Sequence, residues 1–118
     1  NFKELAAKKC APCREGTAPL SRTEAESYAA HLSGWVLASD GKSISCDYLM
    51  KNFMSAIQLI SRIAEVAEAE DHHPDLHLTG YRKLRIELST HSIGGLSEND
   101  FILAAKVNVL PKELKKSA

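Results

Sequence analysis

An α+β fold, a two-layer sandwich with helices packed on one face of an antiparallel sheet, is predicted by three features of this 118-residue chain. The segments follow one another as helix, hairpin, helix, strand or strands, helix. "YRKLRIELSTH" alternates, with Leu84, Ile86 and Leu88 on one side and Arg85, Glu87 and Ser89 on the other, the pattern of a strand with one buried face. Phe53, Ala56, Ile57, Ile60, Ile63, Ala64 and Ala67 recur at spacings of three and four, giving a helix one apolar stripe to lay on that face.

Residues 1–20 contain "CAPCREGTAPL", rich in Pro, Gly and small residues and without a sustained period, which predicts an irregular N-terminal arm. "SRTE" then sets Ser21 and Glu24 at capping-box spacing, so a helix is expected from Arg22 to about Leu32, stopped by Gly34. Strands at Trp35 to Ala38 and Ser43 to Tyr48 flank the hairpin turn "SDGK". The striped helix runs from about Asn52 to Glu70, and Pro74 cannot continue it. By parity His91 falls on the polar face of the strand that follows. "IGG" breaks the chain, and a last helix begins with Ser97 as N-cap and Asp100 at N3. Leu110 and Pro111 end that helix, and residues 112–118 read as a solvated basic tail.

The length suits one domain, placed at residues 21–111. With 44% hydrophobic and 25% charged residues, the composition is that of a folded globular protein. Fifteen basic side chains balance fifteen acidic ones, so no general field draws the chain to nucleic acid or to an anionic membrane. No stretch approaches the roughly 18 apolar residues of a membrane-spanning helix. Three cysteines, an odd number, point to a reducing compartment and a cytoplasmic protein, while a start at Asn1 leaves room for an upstream targeting segment. Cys10 and Cys13 would need two further ligands to hold zinc, and no second Cys-x-x-Cys exists, so a terminal turn is the expected reading.

The chemistry is concentrated in "EDHHPDLH". Four of the five histidines, His72, His73, His77 and His91, fall in one short window. A histidine at a helix C-terminus can serve only the helix dipole, His77 fits an exposed strand position, and Asp100 is accounted for by its capping box. Against those structural roles stand three kinds of chemistry. Metal binding is disfavoured because adjacent histidines in extended chain diverge and no H-x-x-x-H or H-E-x-x-H occurs. Nucleophilic catalysis lacks a nucleophile in a recognisable setting. General acid–base catalysis needs only imidazoles that titrate near neutrality, with Asp71 or Glu68 at hand to separate their roles. A dehydration, hydration or isomerisation is therefore the expected class of reaction.

"EDHHPDLHLTGYRKLRIELSTHSIGGLSENDF" resembles the signature of the pterin-4a-carbinolamine dehydratase family, in which D-H-H-P is followed by a strand, then S/T-T-H, then G-L-S-x-x-D. The likeness extends from the helix after Ser21 through Trp35 to the last helix. The resemblance implies a four-stranded antiparallel sheet with helices on one face and association into dimers or tetramers. It also implies removal of water from 4a-hydroxytetrahydropterin to give quinonoid dihydropterin, in tetrahydrobiopterin recycling, with neither cofactor nor metal. His72 and His91 would then be the acid–base pair and His73 would orient the pterin. Asp71, Glu68, Pro74, Ser89, Thr90 and Asp100 would line the substrate pocket, with Trp35 as a wall.

Two features depart from the best-known animal pattern: the stretch between Pro74 and Tyr81 is about one residue longer, and the "CAPC" arm precedes the usual start. Because animal members also act as a dimerisation cofactor of a homeodomain transcription factor, a protein-binding module without catalysis is the alternative. The expected partners are thus a small-molecule pterin, further copies of the chain and a possible protein, with no direct contact to nucleic acid and none to a membrane.

Overall fold

The computed structural model describes residues 2–11 and 18–116. Nine elements follow in order: α1 (Phe2–Ala7), α2 (Arg22–Ala29), β1 (Trp35–Leu37), β2 (Ile44–Leu49), α3 (Phe53–Glu70), β3 (Asp75–Thr79), β4 (Lys83–Leu88), a 3₁₀ turn (His91–Ile93) and α4 (Glu98–Asn108). The four strands form one antiparallel sheet in the order β1-β2-β4-β3. The predicted two-layer α+β sandwich and the hairpin over "SDGK" are both present.

Alternation decides which way the sheet faces. Ile44 and Cys46 of β2 and Leu84, Ile86 and Leu88 of β4 point to the helices and are almost wholly buried. Asp47, His77, Lys83 and Arg85 occupy the opposite, exposed face. There Arg85 pairs with Asp47 at 3.2 Å and Glu87 at 2.9 Å, so that face is solvated. Of the stripe expected on α3, Ala56, Ile63 and Ala67 are buried, joined by Leu59, whereas Phe53, Ile57 and Ala64 are exposed, a correction to the expected core face. Each such fully buried Leu or Ile contributes about 1.5–3 kcal/mol of hydrophobic free energy.

The arm is a correction. Its first residues form α1, whose Leu5 is buried in the common core, and the Lys106 Nζ donates to the Ala6 carbonyl at 2.8 Å. The reason lies in α4, where every residue from Asn99 to Ala105 is buried. A helix whose apolar run "FILAA" goes round its whole circumference needs cover on all sides. The sheet and α3 supply part of it; α2, through the Tyr28 ring stacked on Phe101 with centroids 5.0 Å apart, and α1 supply the rest.

The tail is exposed at residues 113–116, as expected, and is also held by hydrogen bonds. Lys112 Nζ donates to the carbonyls of Val107, Asn108 and Leu110 at 3.2, 3.1 and 2.8 Å, satisfying the open end of α4. Leu114 then bridges to Met50, and Lys115 N donates to the Leu49 carbonyl. Residues 112–116 are therefore docked on the domain. Helix α2 also ends earlier than expected, at Ala29, the chain completing turns to Gly34 at φ +85°.

Candidate active site

The site is built where α3 stops. Asp71 adopts the left-handed conformation, φ 51° and ψ 41°, and His72 N reaches back to the Ala67 carbonyl at 3.1 Å, the backbone closure of a Schellman motif. This turn points the two neighbouring histidines apart. His72 faces inward with 12% of its side chain exposed, and His73 faces outward with 56% exposed, where it pairs with the Glu68 carboxylate.

The partner of His72 comes from α4. Its Nε2 lies 2.6 Å from Oδ1 of Asp100, whose carboxylate is completely buried. Oδ2 of Asp100 accepts from Thr90 Oγ1 at 2.8 Å and from Ser97 N at 3.0 Å. Thr90 Oγ1 in turn accepts from Ser97 Oγ at 2.8 Å. Since a carboxylate only accepts, Nε2 of His72 carries the proton in the neutral ring and Nδ1 is left to take up or deliver one. The buried carboxylate is a fixed orienting group of the kind that holds a catalytic imidazole in one tautomer.

His72 opens on a cleft of about 320 Å³. It is lined by Asp71, His72, Thr90 and Ser92 together with Cys10, Ala11, Glu70 and Asn99. Of the residues expected from sequence, His72, Asp71, Thr90 and Asp100 are thus brought together. His73 and Glu68 form an exposed pair on the next turn of chain. Pro74 and Ser89 adjoin the cleft along the chain without lining it. His91 is a correction in placement: it opens the 3₁₀ turn directly after Thr90 and is exposed, and does not continue the strand.

Trp35 is not brought to this site. It lies on β1, at the sheet edge opposite β3, buried, with its indole N–H donating to Asn108 Oδ1 at 2.8 Å. Asn108 ends α4 while Asp100 is in its first turn, so the two contacts are about 12 Å apart along the helix axis. Trp35 is a core residue here, tying β1 to α4.

Sequence reasoning overlooked Ser97 as a support for Asp100, and overlooked Glu70, Asn99, Cys10, Ala11 and Ser92 as walls. The signal for Ser97 was available, because a capping box already couples it to Asp100. Burial and, second to it, the Glu70 carboxylate push the Cys10 thiol up to about 12, so at neutral pH it is a weak nucleophile and a poor metal ligand. Cys13 lies outside the described residues. Among the described residues no cluster of three or more His, Cys, Asp or Glu is placed to hold a metal ion.

The Pterin 4 alpha carbinolamine dehydratase family model matches residues 18–110. The chain belongs to that family. It is 46% identical over 106 residues to a putative pterin-4-alpha-carbinolamine dehydratase of Halorhodospira halophila, covering 90% of this chain and 96% of the relative. It is 42% identical over 116 residues to pterin-4-alpha-carbinolamine dehydratase 2, mitochondrial, of Arabidopsis thaliana, covering 96% of this chain and 62% of that one. A crystal structure titled transcriptional coactivator/pterin dehydratase, from Brucella melitensis, superposes with a TM-score of 0.71 at 30% identity, covering 76% of this chain and 95% of its own. The family match thus includes both histidine segments and α4, while α1 and residues 8–11 lie before it.

Proposed function

We propose that the protein dehydrates 4a-hydroxytetrahydropterins, using His72 as a general acid–base group oriented by Asp100. The observation that carries this reading is the His72 imidazole held by a wholly buried carboxylate at the lip of a cleft. In the reaction, the C4a–O bond breaks with its electron pair, a protonated imidazole supplies the proton that makes the leaving group water, and N5–H gives its proton to a base. The N5 pair then forms the N5=C4a bond of the quinonoid product. By the family resemblance His72 and His91 are assigned as donor and acceptor and the exposed His73–Glu68 pair as the group that orients the ring, although of these four only His72 lines the cleft. No metal or organic cofactor is called for by this chemistry. The names carried by the relatives support the same activity.

The test is to generate the carbinolamine in situ and follow its loss by ultraviolet absorbance with the protein and with His72→Ala and His91→Ala. Each substitution is expected to lower kcat by about 10²–10⁴, the usual worth of general acid–base catalysis. His72→Ala also strands Asp100 Oδ1, so its stability is expected to fall by about 1–3 kcal/mol, and circular dichroism must show it folded under assay conditions. Full turnover in both variants would exclude histidine catalysis.

A second reading, self-association, rests on α3. Phe53, Met54 and Ile57 expose 49%, 62% and 36% of their surfaces along one side of this helix, away from the stripe that covers the sheet. An apolar run of this kind on a surface helix is a contact surface, and a further copy of the chain, as a homodimer or homotetramer, is the occupant the family resemblance suggests.

A further inference from the structure

We propose that residues 8–11, which follow α1 and precede the stretch matched by the family, form a wall that limits the size of the substrate cleft, with Ala11 as the specificity-determining position. This rests on the dehydratase reading of the cleft. The segment is strapped down by its backbone. Ala11 N donates to Asn99 Oδ1 at 2.9 Å, and Asn99 Nδ2 donates to the Ala11 carbonyl at 2.6 Å, so one side-chain amide binds both polar groups of the residue. Cys10 N donates to Glu70 Oε1 at 2.7 Å, and the Cys10 thiol to the Asn99 carbonyl at 3.6 Å. Upstream, Lys106 holds the Ala6 carbonyl.

These contacts fix the backbone of this segment as part of the wall of the cleft that His72 also lines. A loop tethered at one point can swing aside for a substrate, whereas one whose amide and carbonyl are both engaged keeps its distance. Strap and imidazole are fixed from consecutive residues of α4: Asn99 seats the strap and Asp100 seats His72. The gap between strap and imidazole is therefore set within one helical turn. Ala11 is exposed and small, so bulk added there enters the cleft and not the core. Asn99 is a positioning residue, acting through the strap it holds.

The experiment compares wild type, Ala11→Trp and Asn99→Ala in the dehydration assay and in modification of His72 by diethyl pyrocarbonate, read by peptide mass. Ala11→Trp is expected to raise KM at least tenfold with kcat within about twofold and to slow His72 modification. Asn99→Ala, by freeing the strap, is expected to raise KM and to speed that modification. If wild type is active and Ala11→Trp leaves KM unchanged, the strap proposal is overturned and the dehydratase reading stands. If wild type is inactive, the modification rates decide: altered rates uphold the strap as a wall of this cleft while the pterin reading falls, and unchanged rates overturn the strap proposal as well.

Discussion

At the scale of single residues, the hydrogen bonds around Asp100 fix more than a distance. Ser97 N is a donor with no alternative, so whatever occupies the Oδ2 position must accept. In Asp100→Asn the amide oxygen must therefore face Ser97 and Thr90, which turns the NH₂ group towards His72. Nε2 is then forced to accept and the ring proton moves to Nδ1. The expected outcome is the opposite imidazole tautomer, visible in ¹⁵N ring shifts, with kcat lowered by about 10²-fold or more. An unchanged tautomer would mean that Asp100 does not select it. His72, Asp71, Thr90 and Asp100 were legible in sequence because a compact motif carries them. Asn99 and Ala11 were not, because neither side of that contact has a local signature; their bond joins residues 88 apart in the chain.

Among the elements, α1 shows why an arm can be misread. Six residues are too few to display a helical period, and an isolated helix of that length would not form in water. It exists because α4 is buried on every side from Asn99 to Ala105, and the unbroken apolar run "FILAA" was readable as a demand for another covering element. The pattern of α3 and β4 was plain because their stripes are long and regular, whereas His91 left the expected strand at a turn that parity alone does not foresee.

The docking of α1 also titrates. Hydrogen bonds from Lys8 and then from Tyr28 hold the Glu98 carboxyl below its ordinary value of 4.5, against the opposing effect of partial burial. A depressed folded pKa stabilises above the unfolded value and loses that contribution as pH falls through the folded one. Glu98→Gln is thus expected to cost about 1 kcal/mol at pH 7, discounted for solvent screening. The deficit should shrink as pH drops below 4.5 and through the folded pKa of Glu98. Urea denaturation of both proteins at pH 7 and pH 3 checks it, and a deficit independent of pH would assign the loss to packing.

For the whole molecule, the fold class and antiparallel sheet were legible from alternation, but the strand order β1-β2-β4-β3 was not, since β2 pairs with β4 across the intervening α3 and β3. Nor does sequence distinguish the apolar residues of α3 that cover the sheet from those that face outward; the same expected stripe held Ile63, which is buried, and Phe53 and Ile57, which are exposed, and only the assembled layers separate them. Met54→Lys is expected to shift sedimentation towards the monomer without lowering monomer stability by more than about 0.5 kcal/mol, as for a surface change. An assembly unaffected by that charge would have to use another face.

The strap has a consequence for how such a protein can diverge. The histidines and their carboxylate lie within residues 18–110, while residues 8–11 reach the cleft from before that stretch. On the strap proposal, part of the cleft wall is supplied from outside the family match, although Asn99 inside it is the seat. If residues 8–11 are that wall, a change of bulk in four positions alters which molecule enters while the stretch holding His72 and Asp100 keeps its sequence.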